Sequence, residues 1–196
     1  MILLQKWEFQ KLELKDAYLI KPFYADDNRG GFIKDYSKEV FEQNGINHDL
    51  KEVFYTISHR GVIRAIHFQN IKQQPKLVRC VSGKVYDVII DLRKDSPTFK
   101  KWQGFYLTGE NMYELLVPAG FGHGYLVIED SIVSYKCSEK FYGEYDSGIR
   151  YDDKDMGIIW QYDEIGGKEK IINSVKDDNL QSFKEFMNNY DKFMKE

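Results

Sequence analysis

Short apolar runs separated by turn-forming residues constrain this chain more than any other feature. Leu77–Val81 meets Ser82-Gly83, and Lys84–Leu92 follows at once. Phe105–Leu107, Tyr113–Val117, Gly124–Ile128 and Ser131–Lys136 continue the series. Runs this short, rich in β-branched and aromatic residues, read as strands rather than helices. Ser-Gly between two of them predicts a tight hairpin. Many short strands at this spacing predict a mainly-β sandwich or barrel. Two segments depart from the pattern. Ser37–Asn44 predicts a short helix in the N-terminal half, with Ser37 as its N-cap and Gly45 as its stop. Asp178–Lys195 carries Leu180, Phe183, Phe186, Met187, Tyr190 and Met194 at helical spacing, which predicts a C-terminal helix packed outside the β-structure.

The chain shows no internal repeat, low-complexity segment or linker, and 196 residues fit one domain, 1–196. A hydrophobic fraction of 42% can fill a sizeable core. With 28 basic against 31 acidic residues the chain lacks the basic excess of a nucleic-acid binder. No apolar run is long enough for a membrane-spanning helix. Met1-Ile-Leu-Leu runs straight into polar and charged residues, so no signal-peptide core is expected. Cys80 and Cys137 fall in strand-like segments and read as buried, reduced thiols, which points to the cytoplasm.

The chemistry-bearing residues come in an ordered set. Gly61-Val-Ile-Arg64-Ala-Ile-His67-Phe-Gln69 places a base and a cation in an apolar run, and Lys76 follows. Pro118-Ala-Gly120-Phe-Gly-His123 comes some 50 residues later, and Tyr135 after it. A histidine, a lysine and a tyrosine on separate strands can move a proton beside a carbonyl, and no cofactor is needed. Taken singly, each is weak: a lone strand histidine is more often structural, and Tyr135 is one of 14 tyrosines. The order carries the signal.

Gly61-x5-His67 and Pro118-x-Gly120-x2-His123 resemble the two cupin motifs. Metal-binding cupins place His-x-His in the first, since alternate strand residues share a face. Gln69 stands at that second position here, so no metal is expected. Over about Phe23–Phe186 the chain resembles the dTDP-4-dehydrorhamnose 3,5-epimerase family of deoxysugar-nucleotide epimerases. The matching segments include Asp27-Asn-Arg29-Gly30-Gly-Phe32, Arg64-Ala-Ile-His67-Phe-Gln69, Lys76–Gly83, Asp95-Ser-Pro-Thr-Phe99, Pro118–Gly124, Tyr135-Lys-Cys137, Ser147–Arg150 and Ser174-Val-Lys176-Asp177.

The resemblance implies a cupin jelly-roll barrel, a homodimer and no cofactor. It makes His67 the base, Asp177 the carboxylate that orients it and Tyr135 the acid, and sets Lys76 around the sugar, where its ammonium can stabilise the enolate oxygen. It sets His123 beside the sugar, Arg29 and Arg64 on the diphosphate and sugar, with Arg29 reaching across from the partner, and Lys176 at a further basic position. Phe32 falls in the Arg29 segment. Removing a proton next to the 4-keto group and returning one from the opposite face, at C5 and C3, converts the D-xylo ketone to the L-lyxo one. That is a step towards dTDP-L-rhamnose and cell-surface polysaccharide.

Departures from the family pattern cluster where it holds its nucleotide. Lys34 replaces a Glu, Glu52 and Phe54 replace a Gln and an Asn, and Asp146 replaces a Glu. Lys34 and Glu52 have opposite signs and are suited to pair. Phe54 offers a packing face where an amide could read a base edge. These changes leave open a 3-only or 5-only epimerase of another nucleotide ketosugar. A metal-dependent cupin and a non-catalytic sugar-binding cupin are further alternatives. Gln69 argues against the first, and the joint presence of His67, Lys76, Tyr135 and Asp177 against the second.

Overall fold

The structure, a computed structural model, describes residues 3–193. It is mainly β, with a few short helices. In chain order the strands are β1 (Leu3–Gln5), β2 (Glu8–Lys11), β3 (Tyr18–Lys21), β4 (Phe23–Asp27), β5 (Gly30–Lys34), β6 (Glu52–Ser58), β7 (Ile63–Gln69), β8 (Lys76–Asp91), β9 (Trp102–Thr108), β10 (Glu114–Val117), β11 (Phe121–Cys137) and β12 (Asp146–Gly148). The helices are α1 (Lys38–Gln43), α2 (Val175–Asp178), α3 (Phe183–Asn188) and α4 (Tyr190–Phe193). Strands β1, β4 and β5 form a small antiparallel sheet, and the others join one large antiparallel sheet.

Two long strands organise the large sheet. The first half of β11 pairs with β7, and its second half with β6. β8 lies along the whole of β11, pairing with β10 over Lys76–Arg79 and with β9 over Lys84–Ile90. Both long strands shift register near Ser82-Gly83 and Glu129–Ser131, where each passes from one half of the sheet to the other. Gly83 has φ +81°, and a Cβ there would stand 2.1 Å from the Asp130 carbonyl oxygen, so the crossing needs glycine. Ser82-Gly83 is therefore not the hairpin expected from sequence. It is an irregularity inside one continuous strand, and Gly124–Ile128 and Ser131–Lys136 likewise form one strand.

Strand alternation sorts the side chains into layers. Val78, Cys80, Val85 and Ile89 of β8 pack with Leu115, Val117, Val127, Val133 and Cys137 between the two halves. Tyr86, Val88 and Ile90 face the other way, under Met156, Trp160, Phe183 and Phe186 of the C-terminal segment. Phe41 of α1 seals a third cluster with Ile20, Leu77 and Leu116. Both cysteines are buried free thiols, and burial pushes them up to about 11 for Cys80 and about 12 for Cys137.

Helix α1 forms where expected and Ser37 takes the N-cap position, but its side chain makes no capping hydrogen bond. The C-terminal helix is not one element. Asn179 ends α2, Gln181 forms a bridge with Ile149, and Ser182 starts α3 with a full capping box against Glu185. Asn189 ends α3 in turn. The apolar stripe still packs on the sheet, as short turns, while Met194 and Lys195 lie outside the described residues. No helix among the described residues is long and apolar enough to cross a membrane.

Candidate active site

β7 brings His67 beside two other strands. It stands directly opposite His123 of β11 on one side and Gly148 of β12 on the other. Gly124, next to His123, has Ala65 of β7 so close that an added Cβ would lie 2.3 Å from the alanine methyl. The missing side chain thus sets the spacing of β7 and β11.

Asp177 reaches His67 from α2. Ser174 caps that turn, its hydroxyl accepting from the Asp177 amide at 3.0 Å. Asp177 Oδ2 lies 3.2 Å from His67 Nε2, with the carboxylate 7% and the imidazole 23% exposed. Burial pushes the Asp177 carboxyl up, but hydrogen bonds from His67 and Ser174 and the charges of His67 and Lys176 outweigh it and hold it below its ordinary range. An ionised carboxylate only accepts, so Nε2 carries the hydrogen and Nδ1 remains the basic nitrogen. Lys176 pairs in turn with Asp146 of β12.

A second histidine–carboxylate pair lies deeper. His123 Nε2 is 3.0 Å from both oxygens of Asp87, which points inward from β8 between Val85 and Ile89. The pair is 4% and 0% exposed. Burial pushes the Asp87 carboxyl up, and His123 and Lys76 pull it back only in part. Lys76, at the start of β8, is desolvated enough to lower its pKa; Asp146 and Asp87 act on it from a distance, and among the described residues it forms no ion pair.

Tyr135 projects from the second half of β11. Its ring stacks on Phe54 of β6, centroids 4.7 Å apart and planes 15° apart, and meets His123 edge-on at 6.0 Å. Burial, then the neighbouring Tyr125 phenol and Asp87, raise its pKa well above the usual tyrosine value. Tyr125 is itself held by Thr56, hydroxyl to hydroxyl, at 2.7 Å. Arg64 donates from Nε to Ser58 at 3.0 Å.

Most of these groups, though not Asp87, Tyr125 or Ser58, line one hollow of about 300 Å³. It gathers His67, Asp177, Tyr135, Lys76, Phe54, Arg64, His123, Asp146 and Lys176 of the residues expected from sequence, and adds Thr56, Gln74, Phe141 and Ser174. Arg29, Phe32, Lys34 and Glu52 do not line it. Arg29 and Phe32 sit on the exposed β4–β5 hairpin, where Arg29 pairs with Asp27 and its side chain is 84% exposed. Lys34 and Glu52 do not pair: Glu52 instead accepts from the Phe141 amide at 2.7 Å. Asp87 was not singled out from sequence, because a single acid inside an apolar run carries no pattern. Gln69 is occupied by backbone, donating to the Lys72 and Lys140 carbonyls and accepting from the Tyr142 amide. Among the described residues no three His, Cys, Asp or Glu side chains cluster as metal ligands.

Fold and site together define a mainly-β protein of the sugar-nucleotide epimerase class, and comparison with known proteins narrows this. Residues 11–185 match the sequence profile described as dTDP-4-dehydrorhamnose 3,5-epimerase. The dTDP-4-dehydrorhamnose 3,5-epimerase of Methanothermobacter thermautotrophicus is 40% identical over 181 residues, 92% of this chain and 96% of that one. The enzyme of that name from Bacillus anthracis, crystallised with TDP and PPi bound, is 40% identical, with a TM-score of 0.83 over 91% of this chain and 100% of that one. The dTDP-6-deoxy-D-glucose-3,5-epimerase of Legionella pneumophila, in complex with dTDP-4-keto-L-rhamnose, is 28% identical, with a TM-score of 0.89 over 97% and 99% of the two chains. The chain belongs to the dTDP-4-dehydrorhamnose 3,5-epimerase family.

Proposed function

We propose that this protein is a cofactor-independent epimerase of dTDP-4-dehydro-6-deoxy-D-glucose, acting at C3 and C5. One observation carries the reading: a carboxylate-held imidazole, a buried phenol and an ammonium with no ion pair among the described residues line the same hollow. His67 Nδ1 takes the proton beside the 4-keto group, and the Asp177 carboxylate stabilises the imidazolium that results. Lys76 stabilises the enolate oxygen. Tyr135 stays protonated at neutral pH and returns a proton from the opposite face. Arg64 and Lys176 supply positive charge for the diphosphate.

The proposal includes a cupin jelly-roll and a single domain working as a homodimer in the cytoplasm. Supporting the dimer, Arg29 and Phe32 stand on an exposed hairpin away from their own hollow, so their service at a site requires a neighbour's. Val53, Tyr55 and Ile57 also line up exposed along β6, beside Ile132 of β11. Sedimentation at assay concentration is expected to give a dimer, and a fully active monomer would contradict it.

The direct test is deuterium incorporation from heavy water, followed by NMR. Label at both C3 and C5, with the L-lyxo ketone as product, is the expected result. Label at one carbon alone would redefine the protein as a mono-epimerase, and no exchange with any 4-ketosugar nucleotide would overturn the reading. Tyr135→Phe should still exchange substrate hydrogen while forming little epimer; normal epimerisation would move the acid role elsewhere, to Tyr142 first.

A further inference from the structure

Phe54 has the closest ring contact to Tyr135, at 4.7 Å between centroids and 15° between planes, and the two residues face each other directly across β6 and β11. Phe54 also lines the hollow. The phenol oxygen lies on the axis of the ring's own χ2 rotation, so turning the ring about that axis does not move it. Its position depends on χ1, which selects among staggered wells. A ring lying flat against Phe54 cannot swing towards β6. Stacking of this kind is favourable beyond simple burial, and the apolar face of Phe54 keeps water from that side of the phenol.

We propose that Phe54 is a positioning residue for the reaction: it seats Tyr135 so that the phenol meets the enolate carbon on the face opposite His67. The inference rests on the epimerase reading above and adds a role for a side chain that would otherwise count as pocket wall. In the step concerned, His67 takes the proton and the carbon–hydrogen electron pair becomes the enolate. The new carbon–hydrogen bond then forms with the Tyr135 proton, leaving a phenolate that solvent reprotonates. With Tyr135 displaced, the competing outcome is return from the imidazolium. In heavy water that imidazolium has exchanged its proton, so the carbon regains a deuteron on its original face. Loss of Phe54 thus uncouples abstraction from inversion.

The experiment measures, in heavy water, the ratio of deuterated but uninverted substrate to epimer for wild type, Phe54→Leu, Phe54→Met and Phe54→Tyr, with kcat and KM for epimer formation. In Phe54→Leu the ratio should rise about tenfold, as expected when a stack is lost and a reacting atom slips out of line. KM should stay within about twofold of wild type, because the loss falls on the inverting step. Phe54→Tyr keeps the stack and should keep the wild-type ratio. Phe54→Met reports the same loss if Leu lowers the yield of folded protein. A raised KM with an unchanged ratio would overturn the proposal and leave Phe54 a substrate contact only, and so would equal losses of exchange and epimer formation in folded variants. A wild type that exchanges no hydrogen overturns the epimerase reading itself, which separates the two failures.

Discussion

Strands β8 and β11 carry ionisable groups on both faces of the sheet, and the two faces treat them differently. On the inner face, Lys76, His123 and Tyr135 line an open hollow with Asp87 buried behind His123, and Lys76 and Arg64 keep no carboxylate partner among the described residues. On the outer face, one residue along each strand, Arg79, Glu114 and Lys136 meet Asp35 at the end of the β5 segment. Lys136 lies 2.7 Å from Asp35 and 3.1 Å from Glu114, and Arg79 lies 3.2 Å from Asp35. Here the charges are closed on one another and covered. Glu114 is so deeply buried that its carboxyl is pushed up to about 8, even against Lys136 and Arg79. The inner cluster leaves its cations available for an anionic, enolising substrate. The outer one spends them on the fold. Charge count alone does not separate the two; exposure and the presence of a partner do.

The sharpest test of this contrast is His67→Ala. It should fold normally, since the side chain is partly exposed, yet lose exchange at both carbons by roughly 10²- to 10⁴-fold. Retained exchange would break the assignment of the inner cluster to chemistry. Lys136→Met is the matching cut on the outer face. It leaves the buried, largely protonated Glu114 carboxyl without its hydrogen-bond partner and should cost about 1–3 kcal/mol in urea unfolding, with near-normal exchange per folded molecule. Asp177→Asn returns to the hollow and should lower exchange by about an order of magnitude less than His67→Ala, because it orients and polarises rather than transferring the proton.

A weaker effect is the pH dependence set by Glu114. Its folded-state pKa of about 8 lies above the ordinary 4.5, so between those values the native state holds a proton that the unfolded chain has lost. Stability should therefore fall as pH rises from about 4.5 to 8, by this group's contribution, and Glu114→Gln should flatten that slope in unfolding curves. The smallest expected effect concerns the nucleobase. Phe54 stacks on Tyr135 and has no donor or acceptor, and Glu52 lies outside the hollow and accepts from the Phe141 amide, so neither supplies the donor–acceptor pair of an amide to a base. Calorimetric Kd values for dTDP, UDP, CDP and GDP should differ by less than roughly tenfold. A strong preference for dTDP would show that recognition comes from other groups.

Much of the candidate site was legible because its members come in a fixed order along the chain, from β7, the start of β8, the two halves of β11 and α2: His67, Lys76, His123, Tyr135 and Asp177 all reach one hollow. Asp87 was not, since its meaning comes from His123 across the sheet. The Lys34–Glu52 pair failed because opposite sign in sequence says nothing about reach in space. Ser82-Gly83 misled because a glycine at positive φ serves a hairpin turn and a strand irregularity equally well. The C-terminal stripe misled differently. Its apolar spacing continues through Asn179–Ser182, where two helix ends and the Gln181 bridge interrupt the helix without interrupting the packing.

Strand β11 acts as a caliper. One jaw is its first half, which carries His123 and lies against His67; the other is its second half, which carries Tyr135 and lies against Phe54. The joint is the register shift at Glu129–Ser131, pinned from β8 by Gly83. The gap between imidazole and phenol depends on that joint together with the close approach at Gly124 and the Phe54 stack on the two jaws. A side chain at Gly83 would press on the Asp130 carbonyl at the joint while touching neither jaw, and is expected to alter that gap.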